Sequence, residues 1–529
     1  MPVTRRHILQ MGLVSVLLPS GFSPLRAATP PQRGGRLIIG QFPEATLLTS
    51  GFSTEGIAQA VSTKIFDGLV AYDTSLNPVP QLATAWKVSP DQLSISLDLR
   101  PGVTWHDGTP FTSADVAFSC LELWKKYHSR GRSTFANVVS VDTPDPLSAI
   151  FHLSKPAPYL LAALGSSESQ VLPRHLYQGT DILQNPHNVA PIGTGPFRFV
   201  EWKRGEYIAL ARNPNYWDQP KPYLDEIIYR VLPDPAAQSV ALETGEIQLG
   251  AVTPSDIDRL SKEPSLVLDP VAPRYSLYSG LAFNLDKPFF RDVRVRQAIA
   301  HAIDTRFILK NVYYGHGTVG TGPLPSQVKP FYTDDVPHYP FNPARAIELL
   351  DAAGFKPDAK GTRISAIFRP QATGDAAYRQ AEYIRTALGQ VGIALDVQWD
   401  DFAGFIRRIY TERDFDITTY GGSAGPDPAI GTQRIYWSKN FKPGVAFSNV
   451  AHYVNPEVDK LLEDAQIETD PARRYEFYKR FQQIVQTDLP LIPLVNADPG
   501  VLRNRRLIDY SIGGDGTFEN FASAQLLPE

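Results

Sequence analysis

The sequence predicts an α/β protein built from more than one domain, and three observations carry that prediction. At 529 residues the chain exceeds the roughly 250–300 residues that one hydrophobic core usually serves, so two or three domains are expected. EIIYRVLPD, PAAQSVALETG and EIQLG (residues 226–250) read as strand, helix and strand, a unit that calls for parallel pairing near a sheet's centre. Pro235 stands inside the helix start and Gly245 at its end, as capping chemistry prefers. LAFNL (281–285) is a short apolar run followed by a capping Asp292 and an apolar face at Val295, Ala298, Ile299, Ala302 and Ile303. Asp304 offers a second cap, and Gly315 a stop.

In chain order, residues 1–28 read as a secretory signal peptide: a basic start, an apolar run from Ile8 to Leu18, and small residues at Ala27 and Ala28. The run is shorter than the ~20 residues that span a bilayer. Thr4-Arg5-Arg6-His7-Ile8-Leu9 is similar to the twin-arginine motif. Removing the leader takes the 51 basic side chains to 48 against 55 acidic, a net −7, which disfavours nucleic acid and anionic membranes as partners. Cys120 is the only cysteine, so no internal disulfide forms, and its apolar helical setting reads as core.

RLIIG (36–40) reads as a strand, then QFPEATL as a loop, and Asp67-Gly68 as a turn. SISLDLR alternates as a half-buried strand, and Thr112 or Ser113 caps the helix that begins near Ala114. His106 beside Asp107 has no nucleophile or third group at a recognisable spacing, so it carries no catalytic reading. PIGTGPF (191–197) is a crossing loop.

Asn342-Pro343 opens a helix that stops near Gly354. RISAIFRP then alternates as a strand with Arg369 at its carboxyl end, where open α/β sheets meet ligands; its planar fork suits a carboxylate. A helix over Tyr378–Val391 leads to strand IALDVQW, which closes on Trp399. In FDITTYGGSAGPDPAIGTQRIYWSKN a strand is expected to end at Tyr420 and give way to a glycine-rich loop that a ligand can approach closely. Tyr420, Tyr436 and Trp437 offer flat apolar area with polar tips. Asn455-Pro456 and Asp470-Pro471 each start a helix, and DLPLIPLV is a strand broken by prolines.

The run from LAFNL through Phe290-x-Asp292-x-Arg-Val-Arg-Gln-Ala-Ile and Ala302-Ile303-Asp304 to the Gly/Pro loop, with FDGL and PIGTGPF upstream, resembles family 5 of the bacterial extracellular solute-binding proteins. These are the peptide-, nickel- and opine-binding subunits of ABC importers. The resemblance implies a two-lobed periplasmic-binding-protein fold of type II. Lobe 1 would span 34–280, with an inserted subdomain at about 76–190, and lobe 2 would span 281–496. The chain would return to lobe 1 at 497–529, through crossings near Leu281–Leu285 and Leu491–Asn496.

It further implies a ligand-binding set of Phe42, Glu44, Arg369, Trp399, Tyr420, Gly422, Ser423, Ala424, Asp427, Arg434, Tyr436 and Trp437. The implied protein is periplasmic and monomeric. Its partners are a peptide or small-molecule ligand and an inner-membrane ABC permease with its ATPase subunits, and it needs no cofactor. Peptide-binding relatives hold the ligand's α-ammonium with an aspartate in the loop after the Trp/Tyr-ended strand; here Ser423 or Ala424 stands at that position, with Asp427 as the acid that could compensate. The expectation is a ligand recognised without a free α-amine, its negative charge met by Arg369 or Arg434.

Other functions find less support. Gly315-x-Gly317-x-x-Gly320 fits the dinucleotide pattern but follows a helix and runs into Pro323 and Pro325. The ten histidines are dispersed, without paired Cys/His spacing for zinc. A secreted peptidase-like enzyme would need a nucleophile and base or a metal site, and the sequence offers neither. Opine, nickel-chelate and oligosaccharide receptors remain alternatives within the family.

Overall fold

The computed structural model describes residues 31–128, 130–272 and 277–528. The leader and its twin arginines lie outside the described residues. Two mixed sheets face each other across a cleft. The first has seven strands in the order Leu266–Leu268, Val501–Asn504, Leu249–Ala251, Arg36–Gln41, Glu226–Val231, Tyr207–Arg212 and Phe197–Lys203. Strand, helix and strand do appear at 226–251, with Asp234 accepting from the Ala237 N–H at the helix start. Their two strands are not neighbours, because Arg36–Gln41 lies between them and runs parallel to both.

The second sheet has five strands in the order Ile393–Val397, Ile364–Arg369, Ile417–Ser423, Leu277–Phe283 and Leu491–Pro493. Its two faces bury separate cores. Leu281 and Phe283 pack with Val295, Ile299 and Ile303 on one side, while Tyr278, Ala282 and Tyr420 pack with Phe405, Tyr478 and Phe481 on the other. Alternation along the strand produces that division. An antiparallel four-stranded sheet (Ala83–Val88, Ser94–Leu99, Ser148–Leu153, Val138–Asp145) is appended to the first and shares its core. Cys120 is buried in it.

Capping residues behave as their chemistry requires. Asp292, Asp304, Asn342, Asn455 and Asp470 each accept from backbone N–H groups at the start of the helix they precede. Asp115 accepts from the Thr112 N–H at 2.9 Å, closing the helix at Ser113–Phe118. The helix expected over 378–391 begins three residues earlier, at Asp375.

The crossings differ from expectation. Leu277–Phe283 pairs along its whole length with Ile417–Ser423, so the chain passes between sheets before it, after Leu268. The return falls between Ala497 and Val501. Leu281–Leu285 and Leu491–Pro493 are therefore interior to the second lobe. No helix among the described residues is long and apolar enough to cross a membrane.

Candidate functional site

A cavity of about 460 Å³ lies between the sheets and draws its walls from both. From the first lobe come the carboxyl end of the central strand and the loop after it (Ile39 to Pro43), the start of the helix at 56–65, Tyr229 and Gly250. From the second come Gln371, Phe402, Gly421, Gly422, Ser423, Arg434 and Phe447, and the returning tail adds Phe518 and Phe521. The lining is largely aromatic and aliphatic with a few polar groups, the usual make-up of a small-molecule site.

Four expected residues meet here: Phe42, Gly422, Ser423 and Arg434. The strand expected to end at Tyr420 runs on to Ser423, because Gly421, Gly422 and Ser423 pair with Ser279, Tyr278 and Leu277. A Cβ at Gly422 would stand 2.9 Å from the Tyr278 hydroxyl and 3.6 Å from Arg434 Nη2, so glycine keeps this wall open. At Gly431 a Cβ would come within 2.0 Å of the Ala424 carbonyl oxygen, so that glycine lets the loop fold back and bring Arg434 to the cavity.

Eight expected residues do not line the cavity, and each has a physical reason. Arg369 sends Nη1 to Asp400 at 2.8 Å, Nη2 to Asp414 at 3.0 Å and Nε to the Asp414 carbonyl at 2.6 Å, so its fork is spent inside the lobe. Glu44 accepts from Trp202 Nε1 (2.9 Å) and the Gly205 N–H (3.0 Å) at the outer edge of the first sheet. Asp427 is locked bidentate to Arg474, at 2.6 and 2.7 Å, with both side chains buried. Tyr420 stacks on Tyr278, Tyr436 packs edge-on against Phe481, and Ala424 is buried. Trp437 donates to Glu463 at 2.9 Å, and Trp399 lies on the surface against Tyr378.

Gln41 and Glu55 are among the polar lining residues outside the expected set. Gln41 ends the central strand, where ligands meet open α/β sheets, and that position was the available signal. Glu55 precedes the helix at 56–65 and is the one carboxylate on the lining; its oxygens accept from the Thr46 N–H (3.0 Å) and hydroxyl (2.5 Å). Burial raises the Glu55 pKa against the pull of those bonds. Arg130, also on the lining, sends Nη1 to both oxygens of Glu168, at 2.7 and 2.6 Å. His128 beside them is pushed down to about 3, first by burial and then by the Arg130 charge. Among the described residues no group of three or more His, Cys, Asp or Glu side chains converges to hold a metal.

The chain belongs to the bacterial extracellular solute-binding proteins, family 5, whose sequence pattern matches residues 77–443. It is 30% identical over 482 residues to the oligopeptide-binding protein AppA of Bacillus subtilis, covering 88% of this chain and 86% of that one. The structure of AppA in complex with a nonapeptide superposes with a TM-score of 0.86 at 28% identity, over 94% of this chain and 100% of that one. NikZ of Campylobacter jejuni in complex with Ni(L-His) gives 0.83 at 26%, over 93% and 99%. The agropinic-acid complex of AgaA from A. tumefaciens R10 gives 0.82 at 25%, over 94% and 99%. Family membership makes this a two-lobed binding protein.

Proposed function

We propose that the protein is the periplasmic solute receptor of an ABC importer, capturing a peptide or peptide-like solute between its lobes and handing it to an inner-membrane permease and its ATPase subunits. The observation that supports this reading best is the cavity at 39–60 and 421–447, walled by both sheets and reached across only two chain crossings. A ligand that touches both walls binds the closed form best and shifts the population toward it. Mass spectrometry of the solute that co-purifies, followed by small-angle scattering with and without it, tests the reading. A smaller radius of gyration with ligand is expected; a receptor that carries no solute and does not contract with any peptide pool would overturn it. The leader fits export by the twin-arginine route, and replacing Arg5 and Arg6 by lysine should strand the precursor in the cytoplasm.

The ligand does not depend on a free α-amine. Ser423 bears no charge, Ala424 is buried, and Asp427 is committed to Arg474. An ammonium placed at this loop would have no carboxylate to pair with, which is strongly disfavoured. Calorimetry on a binding peptide and its N-acetylated form should give affinities within about threefold. A loss well over tenfold on acetylation would instead place the α-ammonium at Glu55.

A further inference from the structure

Three buried charges stand beside the cavity: Arg130, Glu168 and Arg434. Arg130 Nη1 reaches both oxygens of Glu168, at side-chain exposures of 6% and 2%. Arg434 is 3% exposed and makes no ion pair among the described residues. Its Nε donates to the Gly431 carbonyl at 3.2 Å, and its Nη1 is buried with no hydrogen-bond partner. Arg434 is thus a buried guanidinium with no carboxylate of its own among the described residues. A buried charge in that state is costly unless something opposite in sign arrives.

Across the cavity, Gln41 is 2% exposed, and neither Oε1 nor Nε2 of its amide has a partner among the described residues. Buried side-chain amides are rarely left with both atoms unmatched. Gln41 belongs to the first lobe and Arg434 to the second, and both line the same cavity.

Resting on the receptor reading above, we infer that Arg434 is the residue that takes the solute's carboxylate, and that Gln41 takes an amide group of the same solute from the facing lobe. The chemistry fits at both ends. A guanidinium fork matches a carboxylate, and a side-chain amide, one acceptor beside two donors, matches a peptide N–H and C=O. A Cβ at Gly422 would lie 3.6 Å from Nη2, so this backbone and the guanidinium share one stretch of the cavity wall. The solute class is then a small amide-containing carboxylate: a short peptide with a free carboxyl end, its amine free or blocked, or an acylated amino acid. Because its two recognised groups bind opposite lobes, only the closed form satisfies both.

The test uses the full mature chain and a mixed pool of three- to five-residue peptides built without acidic side chains, as free acids and as C-terminal amides. Calorimetry should show the acid pool binding at least tenfold more tightly than the amide pool. Arg434→Gln should bring the acids down to the level of the amides. Gln41→Leu should weaken both pools about three- to tenfold and keep the preference for acids. Arg434→Lys, which keeps the charge but loses the planar fork, is the second variant if Arg434→Gln does not fold, and it should cut the preference to about threefold or less. Acids and amides bound equally by the wild type would overturn the assignment of Arg434 while leaving the receptor reading standing. Retention of the full acid preference in Arg434→Gln, or in Arg434→Lys where only that variant folds, would overturn it as well. A wild type that binds neither pool would defeat the peptide-like reading and this inference with it.

Discussion

Arg369 and Arg434 both sit in the second lobe, both are nearly sealed from solvent, and both were expected to meet a ligand's negative charge. Their surroundings separate them. Arg369 ends a strand flanked by Asp400 and Asp414, and every nitrogen of its guanidinium is used. Arg434 lies on a short helical turn after a loop whose one acid, Asp427, is claimed by Arg474. A buried arginine is therefore available to a ligand according to the carboxylates around it rather than its place on a strand or a loop. A charge fully matched by its own protein holds the lobe together; one left short of a partner awaits something from outside.

The strongest way to break this comparison is to unpair the matched set. Asp427→Ala leaves Arg474 buried without its partner and should cost about 3–5 kcal/mol in urea unfolding, more than any single change at Arg434. A cost below ~1 kcal/mol would mean the pair contributes nothing to the lobe. His106 provides a neutral counterpart. Its Nε2 lies 3.0 Å from the Gly195 carbonyl and its Nδ1 accepts from the Gly193 N–H at 3.2 Å, an arrangement only the uncharged ring can make. Burial lowers its pKa to about 4. The folded state therefore sheds the proton more readily than the unfolded chain does. The resulting stability is fully present above pH 6.5 and is lost as pH falls toward 4, about 3 kcal/mol in all. Unfolding free energies from pH 7 to 4 should show that slope added to the one from His128, and His106→Gln should remove the His106 share and leave the rest.

Arg369→Ala should cost about 1.5–3 kcal/mol in stability and leave solute affinity in the folded protein within twofold, since the fork never faces the cavity. A tenfold loss of affinity at unchanged stability would restore it as a ligand contact. Glu44→Gln should be the mildest. The acceptor for Trp202 and Gly205 survives, so both stability (within ~1 kcal/mol) and affinity should be preserved.

What was legible in the sequence was local. Asp292, Asp304, Asn342, Asn455 and Asp470 cap helices because a side chain two or three residues away can do so, and that spacing is visible in the text. The alternation of RISAIFRP predicts its strand, and Arg369 is its last residue. That the same arginine is spent on partners 31 and 45 residues away is not visible, because nothing in the local pattern reports which distant acid will arrive. The run Gly421 to Ser423 reads as loop for a related reason. Its strand conformation comes from the hydrogen bonds of Leu277–Ser279, a segment about 140 residues earlier in the chain. Phe42, Gly422, Ser423 and Arg434 came together as expected, whereas Gln41, one residue from Phe42, was passed over.

The strand Val501–Asn504 lies inside the first lobe's sheet, between Leu249–Ala251 and Leu266–Leu268, and is antiparallel to both. Leu266–Leu268 has no other neighbour in that sheet, so it cannot join until residue 504 has been made. A ribosome that has finished the second lobe has still not delivered what completes the first. The first sheet is thus completed after the second, once Val501–Asn504 has been made. A stop codon that removes only the last 30 residues should therefore disable the N-terminal lobe and spare the second sheet.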